Sequence, residues 1–301
     1  MDRIIEFIKV NEIGDYKENI SIKNLTTYKV GGLVRLVVFP KNADTLIRIL
    51  MYLKENNISF KIFGNGSNIL ASDKDYDGVI IKLNNFHDYE IDEHDILTVD
   101  AGYNLLSLAN SVSRLGYSGL EFATGIPGTI GGSIYMNAGA YLKSMSDIVI
   151  DIDVLDENLN IITIPNQDLE FGYRKSLLNN KKYICLKARL QLEKKDPEEI
   201  QKLISDRKER RLATQPLEYP SAGSVFRNPL GDYAGRLIEE CDLKGFEIGG
   251  ASISSKHANF IINRNNAQAN DIKKLIDKAK YDVKTKFGID LSLEQEFFNW
   301  E

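Results

Sequence analysis

The chain has few of the residues that indicate a disulfide-rich, metal-binding or membrane protein. Its 301 residues include only two cysteines, Cys185 and Cys241, and these do not form a CxxC motif. Neither a disulfide framework nor a zinc site is therefore expected. The three histidines are scattered along the sequence, so no metal site is predicted. No apolar run approaches the roughly 20 residues needed to span a membrane.

The chain also has no excess of positive charge. The sequence carries 38 Lys and Arg residues against 43 Asp and Glu residues, which gives a formal net charge of -5. This balance argues against a general nucleic-acid binder, although it leaves room for a local basic site that holds a phosphate. The first dozen residues alternate charged and apolar side chains and lack the apolar centre of a signal peptide. We therefore expect a protein of the reducing cytoplasm, with neither nucleic acid nor membrane as a partner.

The remaining composition is that of a soluble globular protein, with 43% hydrophobic and 27% charged residues. The length favours two or three packed lobes. A strand–helix–strand pattern predicts a small α/β lobe over residues 1–85, and strand-rich sequence predicts a mainly antiparallel lobe over 86–196. A helix start at Asp196-Pro197 opens a third lobe over 197–301, in which strands are predicted at 257–263 and 289–298. The fold class is α+β.

The stretch GIPGTIGGSIYMNAGAY, from Gly125 to Tyr141, organises the rest of the chain. It contains five glycines and a proline but no formal charge. One interpretation is a plain loop between two elements. The other is a buried nest of backbone N–H groups that holds an anionic ligand such as a diphosphate. We favour the nest, because solvated loops prefer charged and turn-type side chains and this one is bounded by apolar residues.

A second glycine-rich turn, Gly64-Asn65-Gly66-Ser67-Asn68-Ile69, follows a predicted strand. It is not a dinucleotide fingerprint, because Ile69 stands where the third glycine would fall, and no GxxxxGK[ST] loop occurs either. Two charge-free cradles in one chain fit a ligand with a diphosphate in its middle, such as FAD. The predicted cofactor-binding residues are Gly64, Asn65, Gly66, Ser67, Asn68, Ile69, Gly125, Ile126, Pro127, Gly128, Thr129, Gly131, Gly132 and Ser133.

Four other residues could carry chemistry, although each also has an ordinary structural interpretation. Ser224 would by default be a turn serine, Arg174 a surface residue and Glu296 an outward-facing carboxylate. His257 is balanced between a structural residue and a substrate contact. No GxSxG motif is present, so a serine hydrolase is not indicated. The physics of the sequence alone does not assemble these residues into one site.

Taken in order, the motifs of this chain resemble those of the UDP-N-acetylenolpyruvoylglucosamine reductases, the MurB family. The shared segments include Tyr28-Lys29-Val30-Gly31-Gly32, the two glycine-rich turns, Phe171-Gly172-Tyr173-Arg174-Lys175-Ser176, and PSAGSVFRNP and GGASISSKHANFIIN further on. The resemblance covers nearly the whole chain. Because FGYRKS is followed closely by a strand, without a tyrosine-bearing insertion, the chain is similar to the shorter, second subtype.

The resemblance implies a two-lobed FAD-binding unit of the vanillyl-alcohol-oxidase/PCMH type and a C-terminal α+β substrate-binding lobe. It also implies non-covalent FAD, NADPH as co-substrate, and reduction of UDP-N-acetylglucosamine enolpyruvate to UDP-N-acetylmuramate. This step serves peptidoglycan synthesis, and with it cell shape and cell division, and we expect a monomer. The family pattern assigns proton donation to Ser224 and further catalytic roles to Arg174 and Glu296. Tyr173 and Asn228 are implied to line the same site, and His257 is kept as a further candidate substrate-binding residue.

The C-terminal motif departs from the family pattern. The chain has Leu293-Glu294-Gln295-Glu296-Phe297-Phe298 where the family usually has Glu-x-Glu-Val-Arg, so Phe298 replaces an arginine. This weakens the choice of Glu296 over Glu294 and puts an anion contact there in doubt. Two rival functions stay open: a flavin oxidase or dehydrogenase of the same fold with another substrate, and a non-enzymatic FAD- or nucleotide-binding module.

Overall fold

The computed structural model describes residues 2–301, which pack as two compact units, each discontinuous in sequence. The first unit comprises the residues through Glu18, Leu36–Gly64 and Gly78–Lys208, and the second Asn19–Arg35, Asn65–Asp77 and Glu209–Glu301. This division differs from the three successive lobes predicted. The physical reason is core sharing, because residues 86–192 bury their side chains in one core with the N-terminal α/β segment.

Seven α-helices lie among the described residues. In chain order they are α1 (Asp2–Val10), α2 (Ala43–Glu55), α3 (Leu105–Arg114), α4 (Ile130–Tyr135), α5 (Pro197–Thr214), α6 (Ala234–Glu239) and α7 (Ala269–Phe287). Asparagine side chains cap the N-termini of two of the helices. Asn42 closes a capping box with Thr45 on α2, and Asn104 accepts from the Ser107 N–H at 2.9 Å on α3. These caps satisfy N–H groups that a helix end leaves unpaired.

The strands number eighteen in the part of the chain that the structure describes. They are β1 (Gly14–Ser21), β2 (Leu33–Pro40), β3 (Phe60–Phe63), β4 (Ile69–Ala71), β5 (Tyr76–Lys82), β6 (Tyr89–Ile91), β7 (Ile96–Asp100), β8 (Tyr117–Ser118), β9 (Gly139–Ala140), β10 (Lys143–Ser144), β11 (Val149–Leu155), β12 (Ile161–Pro165), β13 (Ile184–Gln191), β14 (Glu193–Lys194), β15 (Glu247–Ile248), β16 (Ala251–Ile253), β17 (Ile261–Asn263) and β18 (Glu296–Phe298).

Two sheets build the first unit. A four-stranded sheet has the order β1-β2-β5-β3, and within it β3 and β5 run parallel with Phe63 opposite Lys82. A five-stranded sheet has the order β12-β11-β13-β7-β6, and all its neighbouring strands are antiparallel, which confirms the antiparallel prediction for this region. The α2 and α3 helices bury leucines at helical spacing in the core that these sheets share.

The second unit is built on α7 and a three-stranded antiparallel sheet in the order β15-β16-β17. Its core includes Tyr28, Val30 and Leu70 from the N-terminal part of the chain. Helix α7 ends at Gly288, whose φ of +70° is left-handed and suits a residue without a Cβ. The carboxylate of Asp73 accepts from the backbone N–H groups of Ala269 at 2.9 Å and Asn270 at 3.2 Å, at the start of α7.

Three predicted elements differ from the structure. The strand expected at 257–263 begins only at Ile261, because His257 lies in a turn in which the Phe260 N–H donates to the His257 carbonyl. The strand expected at 289–298 is confined to Glu296–Phe298. The Gly125–Tyr141 stretch is not a loop throughout, since it contains the six residues of α4.

Candidate functional site

The two glycine-rich cradles meet at Gly64 and Thr129, both in the first unit. A Cβ added to Gly64 would lie 2.6 Å from the Thr129 hydroxyl oxygen, a distance that carbon and oxygen do not reach without a shift. Only glycine therefore fits at position 64 beside this threonine. Thr129 is fixed in turn, because its hydroxyl accepts from the Gly132 N–H at 3.3 Å and caps α4.

The Gly125–Ser133 segment holds hydrogen-bond donors that the protein does not use. The N–H groups of Gly125, Gly128 and Thr129 make no hydrogen bond to another of the described residues. Gly128 and Thr129 are buried, and the buried hydroxyl of Ser133 also has no hydrogen-bond partner in the described chain. Buried donors without partners are costly. An anion at this segment would satisfy them, so the segment fits the diphosphate of FAD.

Other residues of the same segment serve the fold instead. Gly131 donates its N–H to the Ala101 carbonyl at 2.8 Å, and a Cβ at position 131 would lie 3.1 Å from the Ala101 Cβ. Gly132 donates to Thr129, as described above. The backbone N–H groups of Gly131 and Gly132 are therefore already hydrogen-bonded within the protein. These two glycines can contribute to the cradle only by leaving space for a ligand.

The remaining residues of the first cradle belong to the second unit. Gly66 has a φ of +63° and its carbonyl accepts from the Thr27 N–H at 3.2 Å. Asn68 donates through its side-chain amide to the Glu294 carbonyl at 3.0 Å, and its own carbonyl accepts from the Glu296 N–H at 2.9 Å. The turn is thus tied to the segment that carries both candidate C-terminal carboxylates.

Tyr173 and Arg174 lie in a tight turn of the first unit. Gly172 and Lys175 exchange two backbone hydrogen bonds across it, and Arg174 has a left-handed φ of +58°. The Arg174 guanidinium donates through Nη2 to the Gly139 carbonyl at 2.9 Å and stands over the Tyr173 ring, 5.4 Å from its centroid. The turn therefore projects the guanidinium toward the segment that follows α4.

Sequence reasoning missed Asn137, which holds this turn in place. Asn137 is buried, and its side-chain amide donates to the Gly172 carbonyl at 3.0 Å while its side-chain oxygen accepts from the Ser146 N–H at 3.0 Å. The NAGAY residues and the FGYRKS turn are thereby joined by one side chain. A buried asparagine in a charge-free, glycine-rich stretch is the sequence signal that could have indicated such a role.

Ser224 and His257 lie on neighbouring segments of the second unit. Ser224 forms an isolated antiparallel bridge with Phe260, and the next residue donates its N–H to the Asn259 carbonyl at 2.9 Å. Ser224 is half-buried, and its hydroxyl makes no hydrogen bond to another residue of the described chain. The His257 Nδ1 accepts from the Asn259 N–H at 3.2 Å, which requires the neutral imidazole.

Burial, with the nearby Lys244 charge as a smaller cause, lowers the pKa of His257, in agreement with that neutral form. Asn259 itself was not predicted. Its side chain accepts from the Phe226 N–H at 2.9 Å and donates to the Phe226 carbonyl at 2.8 Å, so it clamps the Ser224 segment. Asn228 has a structural contact as well, since its side-chain oxygen accepts from the Ala234 N–H at 3.1 Å.

The final strand begins at Glu296, and Glu294 lies two residues before it. Gln295 between them is buried, accepts from the Tyr28 hydroxyl at 3.0 Å and donates to the Ala222 carbonyl at 3.1 Å. Because the chain bends at Gln295, the alternation of side chains along a strand does not choose between the two glutamates. Phe298 is buried, and its ring packs edge-on against Tyr76 at 4.8 Å between centroids.

The predicted site residues are divided between the two units. The first unit contains Gly64, the Gly125–Ser133 segment and the Tyr173-Arg174 turn. The second brings together Asn68, Ser224, His257 and the strand that carries Glu296. In residues 2–301 no helix is long and apolar enough to cross a membrane, and no group of three or more His, Cys, Asp or Glu side chains is arranged to hold a metal ion.

Comparison with known proteins adds family and structural matches. Residues 34–164 match the family described as an FAD binding domain, and residues 215–298 match the UDP-N-acetylenolpyruvoylglucosamine reductase, C-terminal domain. The chain is 42% identical over 297 residues to the UDP-N-acetylenolpyruvoylglucosamine reductase of Bacillus subtilis, and the match covers 98% of each chain. It is 44% identical over 303 residues to the reductase of the same name from Anoxybacillus flavithermus, again over 98% of each.

A solved structure agrees with these matches. The crystal structure of UDP-N-acetylenolpyruvylglucosamine reductase from Thermus caldophilus superposes with a TM-score of 0.82 at 33% identity. The match covers 94% of this chain and 100% of that one. The predicted α+β fold, with an FAD-binding region of the PCMH type followed by a C-terminal domain, is therefore confirmed.

Proposed function

Because the chain belongs to the UDP-N-acetylenolpyruvoylglucosamine reductase family, we propose that it reduces UDP-N-acetylglucosamine enolpyruvate to UDP-N-acetylmuramate with NADPH as electron donor. The protein is a flavin-dependent oxidoreductase, and FAD is its cofactor. The proposed reaction belongs to peptidoglycan precursor synthesis and takes place in the cytoplasm, on a monomer. The observation that carries the proposal is the match of relatives named for this reaction over 98% of both chains.

Bound FAD would supply the hydride chemistry between NADPH and the enol ether. The protein's residues have to hold and neutralise what forms on the substrate. A hydride added to the terminal carbon of the enolpyruvyl group leaves an electron pair on the adjacent carbon, shared with its carboxylate. A planar guanidinium stabilises such an enolate well, because its donors match the two oxygens of a carboxylate. We assign this part to Arg174.

The enolate carbon must then receive a proton on one face, which completes the lactyl ether. A hydroxyl can donate that proton if it is held in position and its conjugate base is stabilised. Ser224 is the proposed donor, supported by its half-buried hydroxyl and by the Asn259 clamp on its segment. Glu296 is the third proposed catalytic residue. Tyr173, Asn228 and His257 are proposed to line the substrate site.

The same family membership supports the proposed cofactor contacts of Gly64–Ile69 and Gly125–Ser133. The unpartnered donors of Gly128, Thr129 and Ser133 give this assignment its physical basis. Thr129 and Ser133 offer side chains, whereas the glycines offer backbone N–H groups and close approach.

An anaerobic two-step experiment tests the reaction. The purified protein is reduced with NADPH, UDP-N-acetylglucosamine enolpyruvate is added, and the flavin absorbance is followed. We expect the oxidised spectrum to return while UDP-N-acetylmuramate forms. A flavin that bleaches with NADPH, does not respond to the sugar nucleotide, and is reoxidised rapidly when air is then admitted would favour a flavin oxidase with another substrate.

Ser224→Ala tests the residue assignment in the same experiment. Flavin reduction by NADPH should be unchanged, and reoxidation by the sugar nucleotide should slow by about 10²–10⁴, the usual contribution of a general acid. Ser221→Ala, three residues earlier on the same segment, is the matched control and should leave both rates unchanged. Equal slowing of both half-reactions in Ser224→Ala would show that the serine has a structural role instead.

A further inference from the structure

Lys82 has no role in the proposed reaction. It is the last residue of β5, directly after the buried residues Val79, Ile80 and Ile81. Parallel pairing with β3 places it opposite Phe63, the residue before the first cradle. The pairing of β3 with β5 therefore places Lys82 beside the end of β3, where the glycine-rich turn begins at Gly64.

The Lys82 ammonium makes one hydrogen bond within the protein. Its Nζ donates to the Gly64 carbonyl at 2.8 Å. An ammonium has three N–H donors, so two remain. No carboxylate of the described chain lies within 4.0 Å of Nζ, although most lysines that reach a protein interior are paired with an acid. Burial lowers the pKa of Lys82, as expected for a cation without a counter-charge.

Hydrogen-bond donors that could bind an anion lie near the segment that the Lys82 ammonium contacts. Gly64 abuts Thr129, and the buried N–H groups of Gly128 and Thr129 and the hydroxyl of Ser133 have no acceptor among residues 2–301. A diphosphate brings two negative charges. Neither the Gly64–Ile69 turn nor the Gly125–Tyr141 stretch contains a charged residue, so hydrogen bonds from neutral groups are all that the two segments themselves offer.

We propose that the Lys82 ammonium is the positive charge of the cofactor cradle and contacts the diphosphate of FAD beside Gly64. The inference rests on FAD as the cofactor and is independent of the sugar-nucleotide reaction. Lysine suits this position because it is a compact point charge that can serve the Gly64 carbonyl and a phosphate oxygen together. In the protein without cofactor the same ammonium is a half-buried charge without a counter-charge, which disfavours the folded state.

Two effects of opposite direction follow for Lys82→Met, which keeps most of the length of the side chain and removes the charge. Affinity for FAD should fall, by about 10- to 100-fold for the loss of a charged hydrogen bond. The melting temperature of the apoprotein should stay the same or rise, because an unpaired charge has gone. A residue that only braces the strand would lower both together.

The experiment titrates apoproteins with FAD and with riboflavin, which lacks the diphosphate, and follows the quenching of flavin fluorescence. Lys82→Met should weaken FAD binding by the stated factor and leave riboflavin binding within about twofold of the wild type. Lys82→Arg, which keeps the charge, should restore most of the FAD affinity. Lys61→Met is the matched control, an exposed lysine on the neighbouring strand β3, and should change neither affinity.

Unchanged FAD affinity in Lys82→Met would overturn the proposal, as would equal losses for FAD and riboflavin. If Lys82→Met does not fold, Lys82→Gln replaces it, and the same FAD-to-riboflavin comparison decides. The outcome is separate from that of the reductase reaction. A wild-type protein that binds FAD through Lys82 but does not reduce the sugar nucleotide would keep this inference and remove the proposed function.

Discussion

Replacing Gly64 with alanine should destabilise the first unit through a single contact. The φ of Gly64 is not left-handed, so the backbone itself tolerates a Cβ. The obstacle is the Thr129 hydroxyl oxygen, which the new Cβ would approach to 2.6 Å, whereas the Thr129 Cβ and Cγ2 would lie at an ordinary 3.6 Å. Overpacking of this kind costs about 1–3 kcal/mol. We expect Gly64→Ala to lower the free energy of unfolding of the apoprotein by that amount.

A double-mutant cycle with Thr129→Ala isolates the contact. Thr129→Ala alone should cost about 1 kcal/mol, because it removes the hydroxyl that caps α4. In the double variant the clash is absent, so its loss should be close to that of Thr129→Ala alone. The two changes should therefore couple favourably, by about 1–3 kcal/mol, the whole cost of the clash.

Thermal unfolding of the apoproteins measures these differences, at about 2–4 °C per kcal/mol for a unit of this size. Gly235→Ala, in helix α6, serves as the control. A Cβ at position 235 would lie 3.4 Å from its nearest neighbouring atom, which is an ordinary contact distance. The reasoning fails if Gly64→Ala has the same melting temperature as the control variant. It also fails if the decrease in the free energy of unfolding of the double variant equals the sum of the decreases of the two single variants.

Two further predictions concern stability. Because its pKa is lower in the folded protein, His257 binds a proton more readily when unfolded, so stability should fall as the pH drops below about 6.5. His257→Asn should therefore lose less melting temperature than the wild type between pH 7.5 and 5.5, and an equal loss would contradict the prediction. Asp73→Ala should cost about 1 kcal/mol, since it removes both acceptors at the start of α7. Asp77→Ala, whose carboxylate is exposed and paired with Arg35, is the control and should cost less than half as much in denaturant unfolding.

Local sequence signals predicted much of the fold. The cap at Asn104 and the glycine after α7 mark the ends of two helices because capping and left-handed φ depend on neighbours in sequence. Strand β1 was not predicted. Its sequence, GDYKENIS, is polar and its burial does not alternate, so no period of two is visible.

The site was less accessible to sequence reasoning, because its parts are joined by contacts between distant residues. Asn259 binds the backbone of Phe226, 33 residues away, and nothing near either residue in the sequence shows the pairing. Lys82 reaches Gly64 only through the register of two parallel strands. FAD and the family are confirmed, whereas the roles of Ser224, Arg174 and Glu296 stay predictions that the proposed experiments test.

The discontinuous second unit has a consequence for how this chain folds during synthesis. Tyr28 must wait for Gln295, its hydrogen-bond partner 267 residues later, and Leu70 for β18, which pairs with its strand. At the usual 5–20 residues per second, about 10–50 s pass before these partners leave the ribosome. For most of that interval, until the residues from Ala222 onward follow, the apolar side chains of Tyr28, Val30 and Leu70 have no core to enter. The nascent chain is therefore exposed to aggregation at these residues, and a fragment that starts near residue 209 would lack part of its own core.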